Sequence, residues 1–189
     1  MSNAIEIEAK ALVKKDEYER LVKRFASYPS FEQTNHYIDS EDFLLRKEGL
    51  GLRIREKNER IEMTLKAPLS QGLLEKTATL SKEEFKAFRE DFIFPENDLK
   101  RFLTMLDIDV SKLRVLASLT TKRVDVPYFG GKLSLDANRY NNLTDYEIEL
   151  EYNNEEDAER LLKELLNSEN IEFVLNHRGK AIRALDSRK

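Results

Sequence analysis

The sequence predicts an α+β fold in which about eight antiparallel strands close into a β-barrel, with helices on its outside. Three observations predict it. Segments in which apolar and charged residues alternate strictly recur along the chain, as in residues 146–152. Charges of one sign collect on single segments, and stretches with apolar residues at helical spacing lie between them. An eight-stranded closed sheet has an interior wide enough for side chains or one small ligand.

Alternation with a period of two predicts the strands, because successive side chains of a strand point to opposite faces. The clear cases are residues 5–10, 53–55, 61–66, 133–136 and 146–152, and the shorter ones are residues 37–39, 73–80 and 120–126. Gly130-Gly131 stands between two of these segments, as in a hairpin turn. Hairpin connections make the sheet antiparallel.

Apolar residues at helical spacing predict five helices. They cover residues 15–27 and 97–106, and three more begin at Ser81, at Asn154 and near Gly179. Ser81 and Glu84 form a capping box, and Asn154 is a favourable N-cap. We expect these helices to cover the apolar face of the sheet.

Composition limits the class of protein. The 189 residues suit a single domain over residues 1–189, in which residues 1–4 can derive partly from an expression vector. The absence of cysteine excludes disulfides and thiolate catalysis, and it favours a cytoplasmic location. Without a long apolar run or a signal peptide pattern, we expect no membrane association. The net charge of −4 argues against general nucleic-acid binding.

The charged faces of the predicted strands are segregated by sign. Glu147, Glu149 and Glu151 share one face of a strand, and Arg53 and Arg55 share a face of another. Like charges on one face are destabilising unless opposite charges lie against them. A closed barrel with its charged faces inward would give both the glutamates and the arginines partners of opposite charge. The carboxylates would bind a metal ion, and the basic groups would bind phosphates. The ordinary alternative is that these faces meet solvent.

The sequence resembles the CYTH superfamily, also called triphosphate tunnel metalloenzymes. Glu6-Ile7-Glu8-Ala9-Lys10 resembles the family signature ExExK, and Leu52-Arg53-Ile54-Arg55 resembles its paired-arginine strand. Thr64-Leu65-Lys66 resembles its lysine strand, and the similarity extends from residue 5 to about residue 185. The resemblance implies an eight-stranded barrel that holds a triphosphate in a tunnel. The chain is most similar to the small bacterial branch described as adenylate cyclase-like or thiamine triphosphatase-like.

The resemblance also implies roles for particular residues. Metal ligands are expected at Glu6, Glu8, Asp136, Glu147, Glu149 and Glu151, with Mg²⁺ or Mn²⁺ as the ion. Substrate phosphates are expected on Lys10, Arg53, Arg55, Lys66, Arg123, Arg178 and Lys180. Lys10 and Lys66 would stabilise charge in the transition state, and Tyr37 would position water or the organic part of the substrate. The alternative for each is a structural role, as a salt bridge or a packed tyrosine.

The function predicted from these residues is a metal-dependent hydrolase of a small triphosphate compound. An adenylyl cyclase and a non-catalytic polyphosphate-binding or nucleotide-binding module are the alternatives. The natural substrate, the oligomeric state and the phosphate contact from residues 73–80, where Glu75 and Lys76 are the candidates, stay open.

Overall fold

The strands and helices follow the predicted pattern closely. The computed structural model describes residues 2–70 and 73–188, and side chains from residue 7 onward within those ranges. The strands are β1 (Ser2–Glu6), β2 (Glu8–Val13), β3 (Ser30–Asp39), β4 (Gly51–Lys57), β5 (Arg60–Pro68), β6 (Leu73–Leu80), β7 (Arg114–Tyr128), β8 (Gly131–Tyr140) and β9 (Leu143–Glu151). The helices are α1 (Lys15–Arg24), α2 (Leu44–Lys47), α3 (Lys82–Asp91), α4 (Asp98–Met105), α5 (Glu155–Ser168) and α6 (Lys180–Asp186).

All five predicted helices are confirmed, and their starts show the expected capping. The Ser81 hydroxyl accepts a hydrogen bond from the Glu84 amide over 3.0 Å, and the Glu84 carboxylate accepts one from the Ser81 amide over 2.7 Å. The Asn154 side chain accepts from the Asp157 amide over 2.8 Å. Helix α2 was not predicted, because four residues are too few to show a period. In the described ranges, no helix is long and apolar enough to cross a membrane.

The sheet differs from the prediction in its strand number and in its closure. Nine strands lie in the order β1-β6-β5-β4-β3-β7-β8-β9-β2, so the order begins at β1 and ends at β2. The prediction of a closed eight-stranded barrel is therefore wrong, because the described strands form an open sheet. The predicted strand over residues 5–10 is divided at Ile7, and its two parts pair with different strands, β6 and β9. Alternation determines the faces of a strand, but it does not determine whether the two outermost strands pair.

Five ladders of the described residues are antiparallel, as predicted. They join β4 to β5, β5 to β6, β7 to β8, β8 to β9 and β9 to β2. A two-residue turn of Phe129 and Gly130 joins β7 to β8, one residue earlier than the predicted Gly130-Gly131, and Gly130 has the positive φ of 85° that a tight hairpin turn requires.

The described residues group into two units, and each unit has its own apolar core. Unit 1 contains the described residues within 1–5, 34–118 and 184–189, and unit 2 contains residues 6–33 and 119–183. Both units include segments that are distant in sequence. The prediction of a single domain over residues 1–189 stays a prediction.

In unit 1 the apolar side chains, which alternate with polar ones along the strands, pack under helices α3 and α4. Ile54 of β4 and Met63 of β5 are fully buried in one cluster with Phe88 of α3 and Leu99 of α4. Because side chains alternate, Arg53 and Arg55 point to the opposite face of β4. The predicted division of this strand into an apolar face and a charged face is confirmed.

In unit 2 the corresponding apolar face lies under helices α1 and α5. Leu135 of β8 and Ile148 of β9 are fully buried with Leu21 of α1 and Leu162 of α5. Each such leucine or isoleucine stabilises the fold by roughly 1.5–3 kcal/mol through burial. The same packing directs the charged side chains that alternate with these apolar residues on β7, β8 and β9 to the other face of the sheet, where they contact one another.

Candidate functional site

The register of unit 2 brings charged residues from four strands onto one face. Arg123 of β7 lies opposite Asp136 of β8, which in turn lies opposite Glu147 of β9. In the next row, Glu149 of β9 lies opposite Lys10 of β2. Side chains that are directly opposite each other, or two residues apart on one strand, share a face. Residues that are more than a hundred positions apart in sequence therefore become neighbours.

Three carboxylates of this face form a tight group, which we call the acidic cluster: Asp136, Glu147 and Glu149. One oxygen from each lies within 4.8 Å of the others. The Asp136 and Glu147 side chains are fully buried, and such groups need a cation or a metal ion as a partner. The contact that Oε2 of Glu147 makes within the cluster is an ion pair with Lys180. Three clustered carboxylate oxygens fit a hard divalent cation.

Basic side chains neutralise the acidic cluster in this structure. Lys180 of α6 forms ion pairs with all three carboxylates, and its Nζ lies 2.8 Å from Oδ2 of Asp136. Nη2 of Arg123 lies 2.5 Å from Oδ2 of Asp136 and 2.7 Å from Oε2 of Glu149. The cluster is thus held together by protein cations.

The ionisation of these groups reflects their pairing. Burial alone would raise the pKa of Glu149, but Lys180, Arg123 and Lys10 outweigh it and hold that pKa well below its ordinary value. Burial alone would lower the pKa of Lys180, but Asp136, Glu149 and Glu147 hold it above its ordinary value. Both groups are therefore charged at neutral pH.

Two further residues contact the acidic cluster and were missed in the sequence. Nη1 of Arg183 donates to Oε1 of Glu147 over 2.9 Å, and its Nε donates to Asp145 over 2.9 Å. The Asn176 side chain donates to the same Oε1 over 2.8 Å. One signal was available, because Arg183 follows Lys180 by three residues and so shares its face of a helix.

The other predicted metal ligands are placed differently. Glu8 forms an ion pair with Lys10, and it lies opposite Glu151 in the β2–β9 ladder. Glu151 is 41% exposed and pairs with Lys132. Neither belongs to the three-carboxylate group. The backbone of Glu6 ends β1, and its side chain lies outside the described residues. The structure therefore brings together three of the six predicted ligands.

Unit 1 holds a second group, which we call the basic cluster: Arg53, Arg55 and Lys66. Nζ of Lys66 lies 2.8 Å from Oε1 of Glu75, which is directly opposite it on β6. Nη2 of Arg53 lies 3.6 Å from the same oxygen, while its buried Nε has no hydrogen-bond partner. Nε of Arg55 donates to the Asn35 side chain over 2.9 Å. Paired guanidinium and ammonium groups of this kind suit phosphate oxygens.

Glu75 is the charged residue of β6 that faces the basic cluster. Burial opposes its ionisation, but Lys66 and Arg53 outweigh burial and hold the pKa of Glu75 below its ordinary value. Lys76, the other candidate in this segment, has its ammonium 5.3 Å from the ring centre of Phe102. In this structure β6 therefore offers a counter-ion to the basic cluster.

The remaining predicted residues lie as follows. Tyr37 of β3 is buried, on the same strand face as Asn35. The Arg178 side chain is exposed, while its carbonyl oxygen accepts hydrogen bonds from Arg183 and Asn176. The roles proposed for the side chains of Tyr37 and Arg178 stay predictions.

Comparison with known proteins gives the family. The model of the CYTH domain matches residues 4–178. YjbK of Bacillus subtilis (strain 168), a proposed triphosphatase, is 37% identical over 153 residues, which cover 80% of this chain and 79% of YjbK.

Solved structures are also similar over nearly the whole chain, as two examples show. A proposed adenylate cyclase of Bacillus halodurans is 38% identical, with a TM-score of 0.89 over 97% of this chain and 98% of that one. HpAC1 of Hippeastrum, a proposed adenylyl cyclase with a dominant triphosphatase activity, shares the fold at 21% identity, with a TM-score of 0.76 over 95% and 94% of the two chains. The family model spans both charged clusters, and the chain belongs to the CYTH family.

Proposed function

We propose that this protein is a metal-dependent hydrolase that cleaves a phosphoanhydride bond of a triphosphate compound, either inorganic or organic. The observation that carries the proposal is the acidic cluster, whose three carboxylates place their oxygens within 4.8 Å of one another. The likeness to YjbK, a proposed triphosphatase of 37% identity, supports the same activity.

The acidic cluster is the proposed metal site. Its ligands are carboxylate oxygens, which suit Mg²⁺ or Mn²⁺ better than softer ions. When bound, such an ion neutralises charge on the phosphate oxygens and favours attack by water. Asp136, Glu147 and Glu149 would hold it, and we propose Glu6 and Glu8 as further ligands, directly or through water. Glu151, which pairs with Lys132, is the weakest candidate.

The basic residues are the proposed phosphate ligands. Arg53 and Arg55 offer planar forks that match the spacing of phosphate oxygens. The buried Nε of Arg53 lacks a hydrogen-bond partner, and this supports a role in binding an anion. Lys10 and Lys66 would stabilise the charge that develops as the bond breaks. Arg123, Arg178 and Lys180 are proposed as further phosphate ligands.

A second candidate is an adenylyl cyclase, in which the ribose hydroxyl attacks the α-phosphorus of ATP and pyrophosphate leaves. The likeness to the Bacillus halodurans protein, a proposed adenylate cyclase of 38% identity, favours it. The cysteine-free composition supports action in the reducing cytoplasm, where both ATP and Mg²⁺ are available.

The deciding experiment incubates the purified protein with Mg²⁺ and, separately, inorganic triphosphate, ATP and thiamine triphosphate. Phosphate release and cyclic AMP are both measured, with a chelator as the control. Rapid, chelator-sensitive phosphate release without cyclic AMP is the expected result. Formation of cyclic AMP from ATP would contradict the hydrolase proposal and support the adenylyl cyclase. Metal-dependent binding without turnover of any of the three compounds would contradict both activities and favour a binding module.

A further inference from the structure

Building on the proposed function, we propose that Lys180 holds the cation position of the acidic cluster until a triphosphate binds. The metal ion then enters together with the substrate, as a metal–triphosphate complex, and the free protein binds the ion poorly. Lys180 thereby determines the form in which the substrate is accepted.

The contacts of Lys180 carry this proposal. Its Nζ lies 2.8 Å from Oδ2 of Asp136 and also forms ion pairs with Glu147 and Glu149. An ammonium group has three N–H donors and no acceptor. Its capacity therefore matches the three carboxylates that make up the acidic cluster. The side chain is only 12% exposed, so water does not take the place of these partners.

A divalent ion and this ammonium group compete for the same oxygens. An ion bonded to the acidic cluster would stand against Nζ, and like charges in contact repel each other strongly. Binding of the ion to the free protein therefore requires the ammonium group to leave three carboxylates with no protein anion in exchange. The cost of that exchange lowers the affinity of the free protein for the ion.

A triphosphate removes this cost, because its oxygens give the ammonium group a new anionic partner. The ion and the triphosphate then increase each other's affinity, and linkage requires that both affinities rise by the same factor. Arg183 remains on Oε1 of Glu147, so the carboxylate keeps its orientation while Lys180 changes partners.

The test measures Mn²⁺ binding directly, by the electron paramagnetic resonance signal of the free ion, in the absence of any phosphate. Lys180→Met removes the charge and keeps most of the side-chain volume. We expect this variant to bind Mn²⁺ about tenfold more tightly than the wild type, or better, because a like charge has been removed from contact. Lys180→Arg keeps the charge and should bind Mn²⁺ no more tightly than the wild type.

Lys163→Met is the matched control, since Lys163 is an exposed residue of α5 outside the acidic cluster. An equal gain in Lys163→Met and Lys180→Met would mean that net charge alone is responsible, and it would overturn the proposal. Equal or weaker binding by Lys180→Met would overturn it as well.

A second measurement uses the wild type, in case Lys180→Met fails to fold. Acetylation of the Lys180 amine by acetic anhydride, followed by mass spectrometry, should be slow without metal and faster at saturating Mn²⁺. An unchanged rate would contradict the competition. The hydrolysis-resistant methylene analogue of inorganic triphosphate should raise the Mn²⁺ affinity of the wild type more than that of Lys180→Met. The arms with Mn²⁺ alone contain no substrate, so their outcome is independent of whether the protein hydrolyses triphosphates.

Discussion

Arg183 holds one oxygen of Glu147, and Lys180 holds the other. Nη1 of Arg183 donates to Oε1 over 2.9 Å, whereas Oε2 of the same carboxylate forms an ion pair with Nζ of Lys180. Nε of Arg183 also donates a hydrogen bond to Asp145 over 2.9 Å, and this second contact fixes the orientation of the guanidinium group. Arg183 thus orients Glu147 so that Oε2 is directed toward Lys180, where a metal ion would meet it once Lys180 changes partners.

Replacement of Arg183 by lysine tests this orientation. Lysine keeps the charge but loses the planar fork, so Glu147 should become less well aligned. Loss of an outer partner of a metal ligand typically weakens metal binding by about 10–100-fold. We expect a fall of that size in Mn²⁺ affinity, measured by titration, with a small change in melting temperature. Arg160→Lys on the exposed face of α5 is the control, and an unchanged affinity in Arg183→Lys would remove its positioning role.

Glu149→Gln tests the acidic cluster in the proposed reaction. The amide keeps the shape of the side chain but offers a much weaker ligand to a hard cation. We expect metal-dependent phosphate release to fall by about 100-fold or more, in line with the loss of charge stabilisation at such sites. Circular dichroism should show an intact fold. Glu164→Gln, an exposed residue of α5 that pairs with Arg160, should retain full activity. Full activity in Glu149→Gln would exclude the acidic cluster as the metal site.

Arg55→Ala tests the basic cluster. Its guanidinium group donates to Asn35 through Nε, and its positive charge and planar shape suit phosphate oxygens. We expect the KM for the triphosphate to rise about tenfold, which corresponds to about 1.4 kcal/mol of binding energy. Arg60→Ala is the control, because the Arg60 side chain is 82% exposed on the neighbouring strand. A KM equal to that of the wild type would assign Arg55 to a structural ion network.

Glu75 predicts a pH dependence of stability. Its pKa in the folded protein lies below the ordinary value of 4.5, because Lys66 and Arg53 outweigh the effect of burial. A carboxyl group with a depressed pKa contributes stability that is complete above its unfolded pKa and is lost as the pH falls through the folded pKa. Glu75→Gln should therefore be less stable than the wild type at pH 7, and the two should converge in acid. Urea unfolding at several pH values measures the difference, and a constant difference would contradict the assignment.

Gly131 gives a prediction about stability alone. A Cβ at this position would lie 2.5 Å from the backbone oxygen of Glu151 and 2.6 Å from the ring of Tyr152. A backbone oxygen in a ladder cannot move aside easily, so Gly131→Ala should lower the free energy of unfolding by about 1–3 kcal/mol. Thermal or urea unfolding provides the measurement. Stability equal to that of the wild type would show that the start of β8 can shift.

Alternation in the sequence was sufficient to predict the faces of the strands. It placed Glu147 and Glu149 together on β9, and Arg53 and Arg55 together on β4, with apolar neighbours turned toward helices. The reason is geometric, since a period of two assigns every second residue to the same face. Resemblance to the CYTH family added the roles that geometry alone leaves open.

The pairing of the strands could not be predicted from the sequence. Register depends on turn geometry and on the choice of partner, so it was not predictable that Asp136 lies opposite Glu147, or that Glu75 lies opposite Lys66. The division of the first predicted strand at Ile7 changes two strand pairs without changing the alternating pattern. Arg183 was missed for a related reason, because its contacts with Glu147 and Asp145 come from a helix rather than from an alternating strand.

The order of residues in the chain has a consequence for biosynthesis. Lys180 and Arg183 are translated after all of the carboxylates that they neutralise, the earliest of which is Asp136. Arg123, which pairs with Asp136 and Glu149, is translated earlier, but both ion-pair partners of Glu147 lie in α6. A nascent chain that ends before α6 therefore carries Glu147 without these cations, and its burial at that stage has a large free-energy cost. Burial of Glu147 is thus favoured only after α6 has left the ribosome.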